Sequence, residues 1–176
     1  YNKSVKKLGR KIGKWPVHSA MTATVNQFIS TMPLIMDLKN TALRARHWDA
    51  LKKEINREFD PHSPDFTLEQ VFALGLHAVA EFIGDLSANA NKELAIETAL
   101  EAIEGRWIGI VIDVAQYKEV YYKIKSTDDT YQVLEDDAVA LSTMKASKFY
   151  GSFKEKIDFW EGGLSLVSEI VEMLLT

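Results

Sequence analysis

The chain has 176 residues, of which 47% are hydrophobic and 26% charged, and its formal net charge at pH 7 is -4. This is the composition of a globular domain rather than of a disordered segment, and the negative balance excludes polyanion binding by the chain as a whole. The absence of cysteine excludes disulfide bonds, a cysteine-ligated zinc site and a thiol nucleophile, and fits a reducing compartment.

A basic segment opens the chain. Residues 1–14 carry no acidic side chain and six basic ones, namely Lys3, Lys6, Lys7, Arg10, Lys11 and Lys14. Such a run can contact a microtubule, a membrane or a nucleic acid, but two glycines interrupt it, which favours a solvated or frayed end. Trp15-Pro16 then marks a break. We therefore divide the chain into a basic N-terminal segment at residues 1–18 and a single helical domain piece at residues 19–176.

Two helices are predicted next. Apolar residues recur every three or four positions between Ser19 and Leu38, which is the helical period. Pro33 lies inside this stretch and is expected to end or kink the helix near Met32. A second helix is predicted from about Thr41 to Phe59. The DPHSPDF stretch at residues 60–66 then predicts a loop.

The strongest helical signal follows a short helix that Thr67 and Gln70 are expected to open as a capping box. Over about 28 residues the sequence keeps one broad apolar face, made of Val79, Phe82, Ile83, Leu86, Ala90, Leu94, Ile96, Leu100 and Ile103. At about 1.5 Å per residue, such a helix is roughly 40 Å long. Its other side is predicted to be a solvated acidic face, made of Glu93, Glu97, Glu101 and Glu104.

The pattern then changes to β-branched and aromatic residues. This block, at about residues 107–134, predicts a small antiparallel sheet of two or three strands, with a turn at the STDDT sequence. The helical period returns from Asp136 and continues to the last residue, with a break or a weak point of the last helix expected at Gly162-Gly163. The predicted fold is therefore mainly α, an elongated helical bundle or rod with a small antiparallel β element.

No catalytic, cofactor-binding or metal-ligating residue is predicted. The sequence contains no phosphate-binding loop, dinucleotide fingerprint, nucleophile elbow or zinc-protease motif. The four histidines fall on separate predicted elements without ligand spacing: His18, His47, His62 and His77. The Asp128-Asp129 and Asp136-Asp137 pairs fall at predicted turns and helix starts, where acids are expected for local reasons. No apolar run reaches the roughly 18 residues of a membrane span.

A resemblance to a known family covers most of the chain, from about residue 15 onward. In order, the sequence contains PLIMDLKNTALRARHWDAL, FTLEQVFALGLH, KELAIETALEAIEGRW, VLEDDAVALSTMKASKFYGSF and WEGGLSLVSEIVEMLLT. Together these blocks resemble the N-terminal part of the linker region of dynein heavy chains. Their sequences are similar to those of axonemal rather than cytoplasmic dyneins. We expect the chain to be a piece of a longer polypeptide.

The resemblance implies a mechanical role. The dynein linker is a mostly α-helical lever that arches over the ring of AAA modules and swings as the ring hydrolyses ATP, driving a minus-end-directed microtubule motor. The ATP and Mg sites and the microtubule-binding stalk would lie elsewhere in the parent chain, so this segment would be no enzyme and hold no cofactor. Its partners would be the rest of the heavy chain (AAA ring and tail) and other dynein chains, with microtubules reached only through the parent chain.

The same resemblance implies a cytoplasmic, cytoskeletal location in a ciliary or flagellar axoneme, with neither nucleic acid nor membrane as a partner. One alternative is a helical interaction or scaffold module without a motor. Another is a small enzyme that uses the acidic helix or the aspartate pairs. At the single-residue level, Trp48 is predicted to be a buried anchor, with Arg44 four residues earlier on the same helix face.

Overall fold

A computed structural model describes residues 1–61, 63–64, 66–124 and 127–175, except for the side chains of Arg10, Lys123, Leu174 and Leu175. Within these residues the chain forms seven α-helices, one short 3-10 helix and one two-stranded sheet, which confirms the predicted mainly α class. The chain divides into two compact units, Tyr1–Lys92 and Glu93–Thr176.

The first unit begins with helix α1, Asn2–Ile12, which packs on the helix that follows it. Val5 is buried, and its carbonyl oxygen lies 3.1 Å from Nε2 of His18. Gly9 permits this close approach, because a Cβ atom at that position would lie 2.8 Å from the same ring nitrogen. The basic segment is therefore helical rather than frayed, and its described lysines are exposed.

Helix α2 spans Pro16–Leu38. It begins at Pro16 rather than at Ser19 because proline is well suited to the first helical position, where its missing N–H is not needed. It also continues through Pro33, so of the two expected outcomes, an end or a kink near Met32, the end is wrong. An interior proline costs about 3 kcal/mol, and burial of the neighbouring side chains of Thr31 and Leu34 offsets that cost.

Helix α3 spans Ala45–Ile55, so the predicted helix was too long at both ends. Before it, Oδ1 of Asn40 accepts a hydrogen bond from the N–H of Ala42 at 2.9 Å, and this local turn competes with helix formation. After it, Asn56 adopts the left-handed conformation with φ 51°, which ends the helix.

Helix α4 spans Leu68–Ala73. Its N-terminal cap is Thr67, whose Oγ1 accepts a hydrogen bond from the N–H of Gln70 at 3.5 Å, which is one of the two bonds of the predicted capping box. The described positions of the loop before it contain no helix or strand, also as predicted. Two residues of that loop, His62 and Asp65, lie outside the described residues.

Helix α5, Ala80–Gly109, confirms the predicted long helix with 30 residues. A 3-10 helix at Leu76–Val79 leads into it. Gly75 precedes that turn with φ 67°, a conformation in which other L-residues are strained. The division between the two compact units falls inside α5, between Lys92 and Glu93.

The core of the first unit combines side chains from α2, α3, α4, the 3-10 helix and the first part of α5, namely Leu34, Leu51, Val71, Leu76, Ile83 and Leu86. Trp48 is only half-buried at the border of this core, and its ring meets the ring of Phe59 edge-on with centroids 6.2 Å apart. The fully buried anchor of α3 is therefore Leu51. The expected helical pairing of Arg44 with Trp48 is wrong, because Arg44 is the extended residue before the helix.

The second unit contains a two-stranded antiparallel sheet, within the predicted two or three strands, although its strands cover less of the chain than residues 107–134. Strands β1, Val114–Tyr117, and β2, Tyr121–Ile124, pair antiparallel with Tyr117 opposite Tyr121. Helix α5 continues through Trp107, and helix α6, Asp128–Lys145, includes the residues considered for a third strand. The turn predicted at STDDT begins with Ser126, which lies outside the described residues together with Lys125.

Tertiary packing explains why helix replaces strand on both sides of the hairpin. The core of the second unit collects apolar side chains from α5, α6 and helix α7, Tyr150–Leu175, namely Leu100, Ile103, Leu141, Met144, Phe153, Ile157 and Leu164. The α6 members of this core follow one another at helical rather than strand spacing, and burial outweighs β propensity. No helix in the described part of the chain has the length and apolar character needed to cross a membrane.

Helix α7 runs uninterrupted through Gly162 and Gly163, so the expected break is wrong. No atom lies within 4 Å of a Cβ atom built on either glycine. Glycine in a helix interior costs about 0.5–1 kcal/mol relative to alanine. The burial of Ile157 and Leu164 on either side of the pair offsets this cost.

We therefore expect Gly162→Ala and Gly163→Ala each to raise the free energy of unfolding by about 0.5–1 kcal/mol, measured by urea unfolding of the chain. The matched control is Gly75→Ala, which should lower stability because alanine is strained at φ 67°. Stabilisation by all three substitutions would contradict the explanation from backbone conformation.

Candidate functional site: two polar joints on the long helix

The three histidines that the structure describes lie on separate elements, as predicted. His18 lies on α2, His47 on α3 and His77 in the 3-10 helix, while His62 is outside the described residues. Among the residues that the structure describes, no group of three or more histidine, aspartate or glutamate side chains is placed to hold a metal ion. Several residues of the sequence blocks quoted above take part in networks of hydrogen bonds within each unit.

The predicted acidic face of α5 is partly wrong. Glu101 and Glu104 are exposed as expected, whereas Glu97 is half-buried and Glu93 is buried. Glu93 follows the buried Ala90 by three positions, and so occupies the apolar stripe of the helix rather than its opposite side. The spacing of Glu93 from the buried residues was the signal that the sequence analysis passed over.

The first network, which we call the Asn40 joint, links the turn between α2 and α3 to α5. Nδ2 of Asn40 donates hydrogen bonds to Oγ of Ser87 at 2.9 Å, to the Ser87 carbonyl at 3.3 Å and to Oδ1 of Asn91 at 3.0 Å. Its Oδ1 accepts from the N–H of Ala42. Both ends of one amide are therefore occupied, and the turn is held in a fixed orientation against the long helix.

Substitution of Asn40 tests this assignment. Asn40→Asp keeps the acceptor for Ala42 but places a carboxylate against the oxygen atoms of Ser87 and Asn91. We expect it to cost about 2 kcal/mol of unfolding free energy, more than the roughly 1 kcal/mol expected for Asn40→Ala. Urea unfolding gives both values. A smaller loss for the aspartate variant would show that the donated bonds do not hold the turn.

The ring of His47 caps the N-terminal end of α3. His47 is buried, and its Nδ1 accepts a hydrogen bond from the N–H of Arg44 at 2.9 Å. The Nη1 atom of Arg44 in turn donates to the carbonyl of Thr41 at 3.1 Å. The arginine and histidine of the ALRARHW block thus satisfy backbone groups at a helix start, where free N–H groups otherwise remain.

The second network, the Asp137 joint, lies in the second unit. Asp137 is 2% exposed, and its Oδ2 accepts a hydrogen bond from Nε1–H of Trp107 at 2.8 Å. Arg106 forms an ion pair with the same carboxylate through its Nη2, while its Nε lies 3.4 Å from Oδ2. The last turn of α5 is therefore attached to the middle of α6 by a charged group shielded from water.

Sequence reasoning missed this joint. It assigned the Asp136-Asp137 pair to a turn or helix start, which is wrong, because both residues lie in the middle of α6. The position of Asp137 in the helical period could have predicted its burial, since it follows the buried Leu134 by three positions and precedes the buried Leu141 by four. Asp136 is exposed. The Asp128-Asp129 pair lies in the first turn of α6, as predicted.

Two more polar contacts involve α7: one joins it to the last residue of α6, and the other lies within α7 itself. Nζ of Lys145 lies 2.5 Å from Oε2 of Glu161, and the hydroxyl of Tyr150 donates to Oδ1 of Asp158 at 2.7 Å. These hydrogen bonds raise the pKa of Lys145 and the pKa of Tyr150 above their ordinary values. Both contacts lie near the surface, where such pairs contribute little to stability.

The comparisons with known proteins agree with the resemblance. The family described as "Dynein heavy chain, N-terminal region 2" matches residues 1–176 of the chain. The chain belongs to the dynein heavy chain family. The matched region is the N-terminal region of dynein heavy chains, which lies apart from their ATPase sites.

Individual relatives are axonemal or flagellar, as predicted. The chain is 47% identical over 173 residues to "Dynein-1-beta heavy chain, flagellar inner arm I1 complex" of Chlamydomonas reinhardtii, covering 98% of this chain. It is 48% identical over 163 residues to "Dynein axonemal heavy chain 2" of Homo sapiens, covering 92%. It spans about 4% of the length of each of these dyneins.

The dynein-like sequence blocks supply the two joints. Asn40 belongs to the DLKN block, Arg106 and Trp107 end the EGRW block, and Asp137 lies in the LEDDAV block. The residues that carry the dynein resemblance therefore make contacts between elements of one unit.

Proposed function

We propose that this segment is the N-terminal part of the linker, the mechanical lever, of an axonemal dynein heavy chain. In this role it moves over the AAA ring during the ATP cycle and contributes to the power stroke of a minus-end-directed microtubule motor. It would work in the axoneme of a cilium or flagellum. Its direct partners would be the ring and tail of the same heavy chain and other dynein chains, with microtubules bound elsewhere.

One observation carries the proposal. Four polar residues of the dynein-like blocks, Asn40, Arg106, Trp107 and Asp137, make contacts that hold one element against the next. A binding or catalytic segment would direct such residues toward a ligand. In a lever we expect such residues to hold neighbouring elements together, because the function of a lever depends on each packed unit keeping its shape under load.

The packing of each unit supports the same role. Both cores contain side chains from several helices, and their central residues, Leu51 in the first and Ile157 in the second, are fully buried. Interiors packed to crystal-like density compress little and transmit strain. A unit of this kind is suited to carry force rather than to absorb it.

A first test concerns nucleotide. Because the sequence has no phosphate-binding loop, the 176-residue chain is expected neither to bind nor to hydrolyse ATP in the presence of Mg. Isothermal titration calorimetry with Mg-ATP should give no binding isotherm at micromolar protein. Stoichiometric binding with micromolar affinity would overturn the non-catalytic assignment.

A second test separates lever from scaffold. Asp137→Asn in the full-length heavy chain removes the buried charge of the Asp137 joint, and Asp136→Asn makes the same chemical change at an exposed neighbour. If the segment is a lever, Asp137→Asn should lower the microtubule gliding velocity several-fold more than it lowers the microtubule-stimulated ATPase rate. Asp136→Asn should change neither.

The alternative, a non-motor scaffold, predicts a different result. In that case the purified motor with Asp137→Asn should keep both its gliding velocity and its ATPase rate, while associated dynein chains are lost on purification. A parallel fall of velocity and ATPase rate would indicate general misfolding, which circular dichroism of the variant chain detects.

A further inference from the structure

Helix α1 carries a local concentration of positive charge. Of the 21 basic residues of the chain, six lie in the first 14 positions, whereas all 25 acidic residues lie after position 36. Four lysines of α1 are exposed, and we call them the lysine face: Lys3, Lys6, Lys7 and Lys11. The charge of this helix is therefore opposite in sign to that of the chain as a whole.

The fold fixes the direction of the lysine face. Helix α1 packs on α2 through its other side, where Val5 is buried and its carbonyl oxygen lies 3.1 Å from Nε2 of His18. Lys3, Lys7 and Lys11 follow one another at four-residue steps and so form one row along the helix. At 3.6 residues per turn, this row lies on the side of α1 away from Val5. A packed helix, and not a loose end, thus presents the lysines to solvent.

The row is unfavourable for the helix that carries it. Like charges four positions apart repel each other, which applies to Lys3 with Lys7 and to Lys7 with Lys11. A positive charge in the first turn also opposes the helix dipole, and α1 has no acidic residue there. Helix α2 has no acidic residue before Asp37, its second-last position. A negatively charged partner would convert this repulsion into attraction.

The size of the lysine face indicates a short partner segment. Lys3 and Lys11 are eight positions apart, which corresponds to about 12 Å along a helix. In an extended chain, side chains on one side recur roughly every 7 Å. Two or three acidic residues on one side of an extended segment therefore match the length of the row.

Larger anions fit this surface less well. A nucleic acid duplex or an anionic membrane presents negative charge over a much wider area, and the acidic residues of the chain outside α1 would repel it. A helix that binds a membrane also needs apolar side chains on the bound face. The buried apolar residue of α1, Val5, is on the opposite side and packs toward α2.

We propose that the lysine face of α1 docks a flexible acidic segment of a partner protein, rich in glutamate or aspartate. Lysine suits such a partner, because its ammonium group is a point charge that pairs with carboxylates without requiring one fixed geometry. Exposed pairs are individually weak, so binding requires several at once and weakens as salt is added. The proposal does not depend on the lever role.

Photocrosslinking to a defined acidic probe tests the proposal in the full-length heavy chain. The photoreactive residue p-benzoylphenylalanine replaces Ser4, an exposed residue of α1. After irradiation with a fluorescein-labelled oligoglutamate peptide, we expect saturable labelling at position 4. Lys3→Glu, Lys7→Glu and Lys11→Glu together should lower the labelling several-fold, because they reverse the charge of the row. Lys3→Gln, Lys7→Gln and Lys11→Gln together should give an intermediate yield.

The matched control reverses the charge of three exposed lysines elsewhere, Lys53→Glu, Lys154→Glu and Lys156→Glu. These substitutions change the net charge by the same amount and should leave the labelling at position 4 nearly unchanged. Equal labelling of the row variants and the unsubstituted chain would refute docking at the lysine face. An equal fall in the control would show that only net charge matters, which also contradicts the proposal.

Competition identifies the class of partner. Unlabelled oligoglutamate, vesicles containing phosphatidylserine and duplex DNA are added separately, at equal concentrations of negative charge. We expect oligoglutamate to suppress the labelling at position 4 at the lowest concentration. Stronger suppression by the vesicles would assign the face to a membrane, and stronger suppression by DNA would assign it to nucleic acid. Either result would overturn the proposal.

Discussion

Asp137→Ala is expected to lower the free energy of unfolding by about 2–4 kcal/mol. The substitution removes the acceptor of the Trp107 indole N–H and the ionic partner of Arg106 at once. Breaking a fully buried ion pair costs more, but the Arg106 side chain is about half exposed and can return to water. Urea unfolding followed by far-ultraviolet circular dichroism measures the loss.

The neighbouring aspartate provides the control. Asp136 has the same side chain on the same helix but is exposed, so Asp136→Ala should change stability by less than about 0.5 kcal/mol. The loss of unfolding free energy for Asp137→Asn should lie between the losses for the two alanine variants, because an amide oxygen can still accept a hydrogen bond from Trp107. Equal losses for Asp136→Ala and Asp137→Ala would mean that the joint does not stabilise the unit.

Ile157→Ala is expected to cost about 2–5 kcal/mol, because it leaves a cavity where α7 meets the core of the second unit. Ile157 is fully buried, whereas Phe159, two positions later on the same helix, is largely exposed. Phe159→Ala should therefore cost the 176-residue chain only about 0.5–1.5 kcal/mol, through the edge-on contact of its ring with Trp160, although it removes the larger side chain. Both variants are measured by urea unfolding under the conditions used for the Asp137 series, so that the losses compare directly.

Local signals in the sequence predicted much of the fold. The apolar period between Val79 and Ile103 identified α5, and the spacing of Thr67 and Gln70 identified the cap of α4. These features depend on neighbours in the chain. The family resemblance was carried by blocks of sequence in order, and the comparisons confirm it.

The errors arose where distant contacts outweigh local preference. Pro33 and the Gly162-Gly163 pair are helix breakers by propensity, yet both lie inside helices whose neighbouring side chains are buried. In a helix interior, glycine costs about 1 kcal/mol and proline about 3 kcal/mol relative to alanine. The free energy gained by burying several large side chains exceeds either cost. A single sequence does not reveal which residues will meet in the core.

The polar joints were missed for a related reason. Glu93 was predicted to lie on a solvated helix face and Asp137 at a turn or helix start, although their spacing from buried neighbours places both on buried stripes of their helices. Predicting burial for a charged residue requires knowing its partner, and Arg106 lies about thirty positions from Asp137. The Asn40 joint joins residues that are farther apart still.

The shared acceptor in the Asp137 joint also has an evolutionary consequence. One carboxylate serves both an indole N–H and a guanidinium group, so the three positions are constrained as a set rather than one by one. A lineage that loses the carboxylate leaves the partly buried indole N–H without its acceptor, and selection then favours an aromatic residue without an N–H at position 107. Substitutions at positions 106, 107 and 137 should therefore covary among dynein heavy chains, while position 136 drifts independently.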